Sequence, residues 1–202
     1  MDQNFIVASI LATSMVILLS VIFWRISRIS GSGSKATTIY LCGDAHSGKT
    51  RLYYSLISSA ALPTSFDTVK TVDGAVYTGC IDSLPGKLLR ICDIPFDQRC
   101  CSPKVLSYPP AIIVYIATKD YDNANVMALM ETHQSSLKLL LILAMGISNS
   151  EILNQISSFI STNQNIDPKD VVIPAFLQVT EVSSMDDLPS AVIKVIRMTI
   201  RK

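Results

Sequence analysis

The chain has 202 residues, a formal charge of +1 and a hydrophobic share of 49%. That length suits one domain with an appendage, and the near-neutral charge gives no electrostatic case for a nucleic-acid partner. The hydrophobic share is high for a soluble protein, and the excess is concentrated at the N-terminus.

Phe5 to Trp24 is a run of twenty residues without a charged side chain. As a helix rising about 1.5 Å per residue it spans about 30 Å, the thickness of a bilayer's hydrocarbon core. A cleaved signal peptide would want a basic start, a shorter apolar core and a small-x-small cleavage site. Here the start is Met1-Asp2-Gln3-Asn4 and the run ends in Phe23-Trp24-Arg25. The sequence therefore predicts a transmembrane helix over 5–24, with a signal peptide or a buried core helix as the competing readings. Arg25, Arg28 and Lys35 all follow the span. By the positive-inside rule residues 1–4 form a lumenal tip and the remainder is cytosolic, with Trp24 at the interface. Residues 25–35 are rich in Gly and Ser and read as a flexible tether, which keeps the domain close to the bilayer.

Residues 36–202 alternate short apolar strands with helical stretches, the pattern of an α/β domain with a mostly parallel sheet flanked by helices. The first strand is expected at Thr37–Cys42. It runs into Gly43-Asp44-Ala45-His46-Ser47-Gly48-Lys49-Thr50, the phosphate-loop pattern Gly-x4-Gly-Lys-Thr. Its glycines let several backbone N–H groups converge on one phosphate, and the following helix, about Lys49–Ser59, adds the positive end of its dipole. Lys49 is placed to reach the outer phosphates and the Thr50 hydroxyl to hold Mg²⁺; Arg51 follows directly. An ordinary glycine turn, or a loop kept as scaffold after losing its ligand, is the alternative. Thr64, in Leu62-Pro63-Thr64-Ser65, is the candidate for a second threonine on Mg²⁺ and the γ-phosphate, with Thr68 and Thr71 nearby.

Two strands, Gly74–Cys80 and Lys87–Cys92, flank a turn segment Asp82–Gly86 and predict a hairpin. Asp93 closes the second of them, where a phosphate loop needs its further acidic group. The order Asp93-Ile94-Pro95-Phe96 has Phe where GTPases have the glycine of Asp-x-x-Gly. Asp97 stands where the water-orienting residue is expected, with Gln98 next, so any hydrolysis is expected to be slow.

Ala111–Ala117 and Leu139–Met145 read as buried strands separated by a helix marked by Val126, Leu129, Met130, His133 and Leu137. His133 falls on that helix's apolar face and reads as a semi-buried side chain. Guanine is usually chosen by Asn-Lys-x-Asp after the fifth strand; here the segment is Gly146-Ile147-Ser148-Asn149. Asn149 falls where the Asp would be, and an amide cannot accept both hydrogen bonds of the guanine edge. A helix marked by Ile152, Ile156, Phe159 and Ile160, a strand at Val172–Val179 and a helix carrying Leu188, Val192, Val195 and Ile196 complete the series. Cys42, Cys80, Cys92, Cys100 and Cys101 show no paired metal spacing and fit a reducing compartment. The two histidines, His46 and His133, are too isolated for a metal cluster.

A single N-terminal span, a short tether and a small G-like domain resemble the β subunit of the signal recognition particle receptor. The matching segments are Leu41–Thr50, Pro63-Thr64-Ser65 and Ile91-Cys92-Asp93-Ile94-Pro95, with looser matches at Pro110–Ile116 and Ala175–Thr180. The chain departs from that pattern at Phe96, Asp97, Gly146–Asn149, and at Glu181-Val182 where a Ser-Ala-Lys-type base loop is expected. The resemblance implies a single-pass protein of the endoplasmic reticulum membrane with a cytosolic, P-loop small-GTPase-like domain. It would bind GTP and Mg²⁺ and tether the receptor's α subunit for co-translational targeting. Nucleotide contacts are then expected from Gly43 to Arg51 and from Thr64, Asp93 and Asn149, with Thr50 and Thr64 on the metal. A membrane-anchored Arf-like or Rab-like trafficking GTPase, or a degenerate nucleotide-binding scaffold, is the runner-up. A phosphate-loop kinase or ATPase would want an arginine-rich lid, and the chain carries no such cluster.

Overall fold

A computed structural model describes residues 36–58, 74–95, 108–119, 121–133 and 135–201, all within the unit Ala36–Lys202. The span expected at 5–24, the threonines 64, 68 and 71, and residues 96–98 lie outside the described residues. Among the described residues no helix is long and apolar enough to cross a membrane.

Among the described residues six strands form one sheet: β1 Thr37–Gly43, β2 Ala75–Gly79, β3 Leu89–Asp93, β4 Ile112–Ala117, β5 Leu139–Met145 and β6 Leu177–Val182, in the spatial order β2-β3-β1-β4-β5-β6. All neighbours are parallel except the β2–β3 pair, which is antiparallel as the turn residues between them predict. Among the described residues four α-helices cover the sheet: α1 Lys49–Ile57, α2 Asn123–His133, α3 Asn149–Gln164 and α4 Leu188–Arg201. This is the mostly parallel α/β sheet flanked by helices that the sequence predicts.

The period-2 alternation of the central strands builds two cores. Ile39, Leu41, Ile112, Val114, Leu141 and Leu143 face α1 and α4, meeting Leu52, Leu56, Leu188, Val192 and Ile196. Tyr40, Cys42, Ile113, Tyr115, Leu140 and Ile142 face α2 and α3, meeting Val126, Leu129, Met130, Ile152 and Ile156. Because helices lie on both faces, β4 is buried at every residue and reads as an unbroken apolar run. Each fully buried Leu or Ile contributes about 1.5–3 kcal/mol from desolvation. Ser148 caps α3 by accepting the Glu151 N–H at 3.2 Å, and Asn165 ends it in the left-handed conformation.

The structure corrects two elements. Leu137 lies beyond the end of α2, its N–H donating to the His133 carbonyl at 3.0 Å, although it remains buried with the helix's apolar face. The last strand is not Val172–Val179. Val172 is 83% exposed, and pairing begins at Leu177, opposite Leu140. Pro174 has no N–H for a ladder, so the apolar run before it stays outside the sheet, and its carbonyl instead accepts from Leu177 at 2.9 Å. Glu181 and Val182, expected in a base-binding loop, are therefore strand residues paired with Ala144 and Met145. The loop that follows β6 is residues 183–187.

Candidate functional site

The parallel register brings the C-terminal ends of β1, β3, β4, β5 and β6 to one edge of the sheet. The chain leaves β1 with β3 on one side and β4 on the other. In open α/β sheets that reversal of order opens a crevice beyond the strand ends, where ligands bind. The Gly43–Thr50 loop lies there.

The loop has the backbone its composition demands. Gly43, His46 and Gly48 take φ of 136°, 60° and 88°. A Cβ at Gly43 would stand 2.6 Å from the Ile116 carbonyl oxygen, and one at Gly48 would stand 2.5 Å from the Met185 sulfur. Gly43 thus excludes a side chain by contact with backbone as well as by φ, whereas at Gly48 the φ decides and the flexible Met185 side chain would have to shift. His46 holds the left-handed conformation without being glycine; histidine is among the residues that tolerate it. Gly48 caps α1, and its carbonyl accepts from Leu52 N–H at 2.9 Å.

Lys49 is buried, and its Nζ donates to the carbonyls of Gly43 at 2.7 Å and Asp44 at 2.6 Å. The ammonium therefore lies across the inside of the loop rather than in solvent. Thr50 Oγ1 donates to Asp93 Oδ2 at 2.8 Å. Asp93 is fixed by its strand: it is the register partner of Leu41, two residues before Gly43, and it is 1% exposed. Asp44 Oδ1 accepts from the Tyr115 hydroxyl at 3.3 Å, which ties the loop to β4. Ser47 is fully buried, and its Oγ finds no hydrogen-bond partner among the described residues. Ala45 and His46 are exposed at the mouth.

Arg51 turns toward the loop after β6, its Nη2 meeting Asp186 Oδ1 at 2.7 Å. Asn149 is the first residue of α3, in the loop after β5, and its Oδ1 is buried with no hydrogen-bond partner among the described residues. The structure thus gathers Gly43 to Arg51 with Asp93 and sets Asn149 at the same sheet edge. Thr64 lies outside the described residues. Two features were not anticipated. Met185 and Asp186 border the loop, and they were missed because the last strand was read too early. The Lys119 side chain, from the end of β4, lies along Gly146, with its Cε 3.4 Å from where a Cβ would stand. Thr118-Lys119-Asp120-Tyr121-Asp122 has the look of a base-reading motif, but its spacing does not match Asn-Lys-x-Asp and it follows the fourth strand rather than the fifth.

Behind the β1–β3 seam, Tyr40 donates to the Tyr108 carbonyl at 3.0 Å and the Arg90 guanidinium stacks 3.6 Å from the Tyr108 ring centroid. Burial pushes the Cys92 thiol up to about 11, against the lowering effect of Arg90 and of the Tyr40 hydrogen bond. Burial likewise pushes the Tyr40 hydroxyl up to about 12. Cys92 is a packed thiol in this setting.

The donor set suits a small hard cation. A hydroxyl and a carboxylate adjoin at a helix start beside a loop of backbone N–H groups, and Mg²⁺ binds to proteins through one or two oxygens plus phosphate and water. Among the described residues no group of three or more His, Cys, Asp and Glu side chains gathers as a metal cage. The chain matches no protein-family model, and a search of curated proteins returns no relative.

Proposed function

We propose that this chain binds a nucleoside triphosphate with Mg²⁺ at the Gly43–Thr50 loop. On this reading it serves as a membrane-anchored, GTP-binding tether of the type found in the β subunit of the signal recognition particle receptor. The observation that carries the nucleotide reading is the 2.8 Å contact between Thr50 and Asp93 beside the Lys49-lined loop. A phosphate loop without a metal partner would be a turn; with one it has both halves of a phosphate–metal site. In this role the loop N–H groups and the α1 dipole hold the phosphates, and Lys49 pivots from the carbonyls to the outer phosphates. Thr50 and Asp93 hold the cation, which neutralises phosphate charge. The tethering role rests on the resemblance: the span at 5–24, the tether, and the matching segments around Thr50, Thr64 and Asp93. Its cytosolic partner would be the receptor's α subunit, at the endoplasmic reticulum membrane. The departures at 96 and 97 favour stable binding over turnover.

Calorimetric titration of the full-length chain in detergent with GTP, XTP and ATP, with and without Mg²⁺, tests the nucleotide half. Mg²⁺-dependent binding weakened by about tenfold or more in Thr50→Ala supports it, and absence of binding by all three refutes it. Affinity capture tests the tether half. Recovery of the receptor's α subunit supports it, and recovery of vesicle-trafficking effectors instead favours the Arf-like or Rab-like alternative.

A further inference from the structure

We propose that the site recognises the face of a purine base rather than its edge, on a platform made by Arg51, Asp186 and Met185, and so does not separate guanine from adenine. This rests on the nucleotide reading above. Arg51 follows Thr50 in the first turn of α1, so its side chain leaves the helix beside the loop that would hold the phosphates. Its guanidinium is held by Asp186 Oδ1 at 2.7 Å, and the Arg51 side chain is 21% exposed against 69% for Asp186. A guanidinium is planar, weakly hydrated and stacks on aromatic rings, and a carboxylate on one edge holds its orientation. Met185 adds an adaptable apolar surface next to Asp186: its sulfur abuts Gly48, the glycine that precedes Lys49.

Among the described residues the other side presents no carboxylate to a base edge. No carboxylate lies in Gly146–Asn149. The Asn149 Oδ1 is buried, so a base edge does not reach it in this arrangement. The Ser148 hydroxyl is engaged with the Glu151 N–H, and the Lys119 stem covers Gly146. Stacking is indifferent to the donors and acceptors on the base edge, and it favours the larger purine face over a pyrimidine.

The test titrates the full-length chain in detergent with the Mg²⁺ complexes of GTP, ATP, CTP and inorganic tripolyphosphate. Wild type is compared with Asp186→Asn and with Arg51→Lys, which keeps the charge but loses the plane. GTP and ATP are expected to bind within about threefold of each other and CTP about tenfold more weakly. Both substitutions are expected to weaken GTP and ATP by about tenfold and to leave tripolyphosphate affinity unchanged, a split that a merely structural ion pair would not give. A GTP preference over ATP of about a hundredfold or more, or GTP affinity indifferent to both substitutions, overturns the platform while leaving the loop's role intact. Failure of wild type to bind either tripolyphosphate or GTP overturns the nucleotide reading and the platform with it.

Discussion

Thr50 and Asp93, 43 residues apart in the chain, meet at 2.8 Å between a hydroxyl at the start of α1 and a carboxylate at the end of β3. The sheet register and the loop backbone fix both ends, so the fold itself sets the pair. Preorganisation of this kind lowers the ordering cost of binding.

Thr50→Ala removes one hard oxygen from the cation site without touching the loop N–H groups. GTP affinity in Mg²⁺ should fall by about tenfold or more, while affinity measured in EDTA should stay level. A uniform loss with and without Mg²⁺ would mean that Thr50 acts on the fold instead.

Gly48→Ala should destabilise the domain by about 1–2 kcal/mol through its φ of 88° alone, with a further loss from contact with Met185. Met185→Ala in the same chain should recover the contact part and leave the backbone part. Denaturant unfolding of the two single variants and the double variant measures the coupling. Strict additivity would show that Met185 does not pack on Gly48.

Cysteine reactivity separates buried from exposed thiols. Cys80 is exposed, whereas Cys42 and Cys92 are buried. A thiol held up to about 11 is protonated at neutral pH, and the thiolate is the reactive form. Between pH 7 and 9 peptide mapping after brief alkylation should find Cys80 modified well before Cys92. Cys92 should gain reactivity only as the pH nears the raised value, because its thiolate fraction stays small below it. Equal rates at pH 8 would contradict the packing of β3.

Intrinsic hydrolysis should be slow. On the proposed GTPase-like reading Phe96 and Asp97 stand where GTPases have the glycine and the water-orienting residue, and small GTPases that keep those turn over at only about 10⁻⁴ per second unaided. A single-turnover measurement with the full-length chain should give that rate or less, and a rate of about 10⁻² per second or faster would rule this out.

Much of the fold was legible because its signals are local. The Gly-x4-Gly-Lys-Thr spacing needs eight consecutive residues, and β4 and β5 announce themselves as apolar runs because helices cover both their faces. Val171-Val172-Ile173 looked the same but sits before Pro174, which cannot donate to a ladder, so composition pointed to a strand where hydrogen bonding forbids one. That shift hid the loop carrying Met185 and Asp186. The Arg51–Asp186 contact spans 135 residues and leaves no periodic trace in the sequence. Contacts made by tertiary packing between loops are set by where the strands end, and only the register supplies that.

In the proposed role the Gly43–Thr50 loop holds nucleotide phosphates through Lys49, whose ammonium lies 2.7 Å from the Gly43 carbonyl and 2.6 Å from that of Asp44. Calorimetry of Mg²⁺-bound GTP against full-length wild type and Lys49→Ala, each checked for folding by circular dichroism, tests it most directly. Measurable binding to wild type is expected, with a loss of about a hundredfold in the folded variant, the worth of two charge-assisted hydrogen bonds. Equal affinity for the two proteins would contradict it.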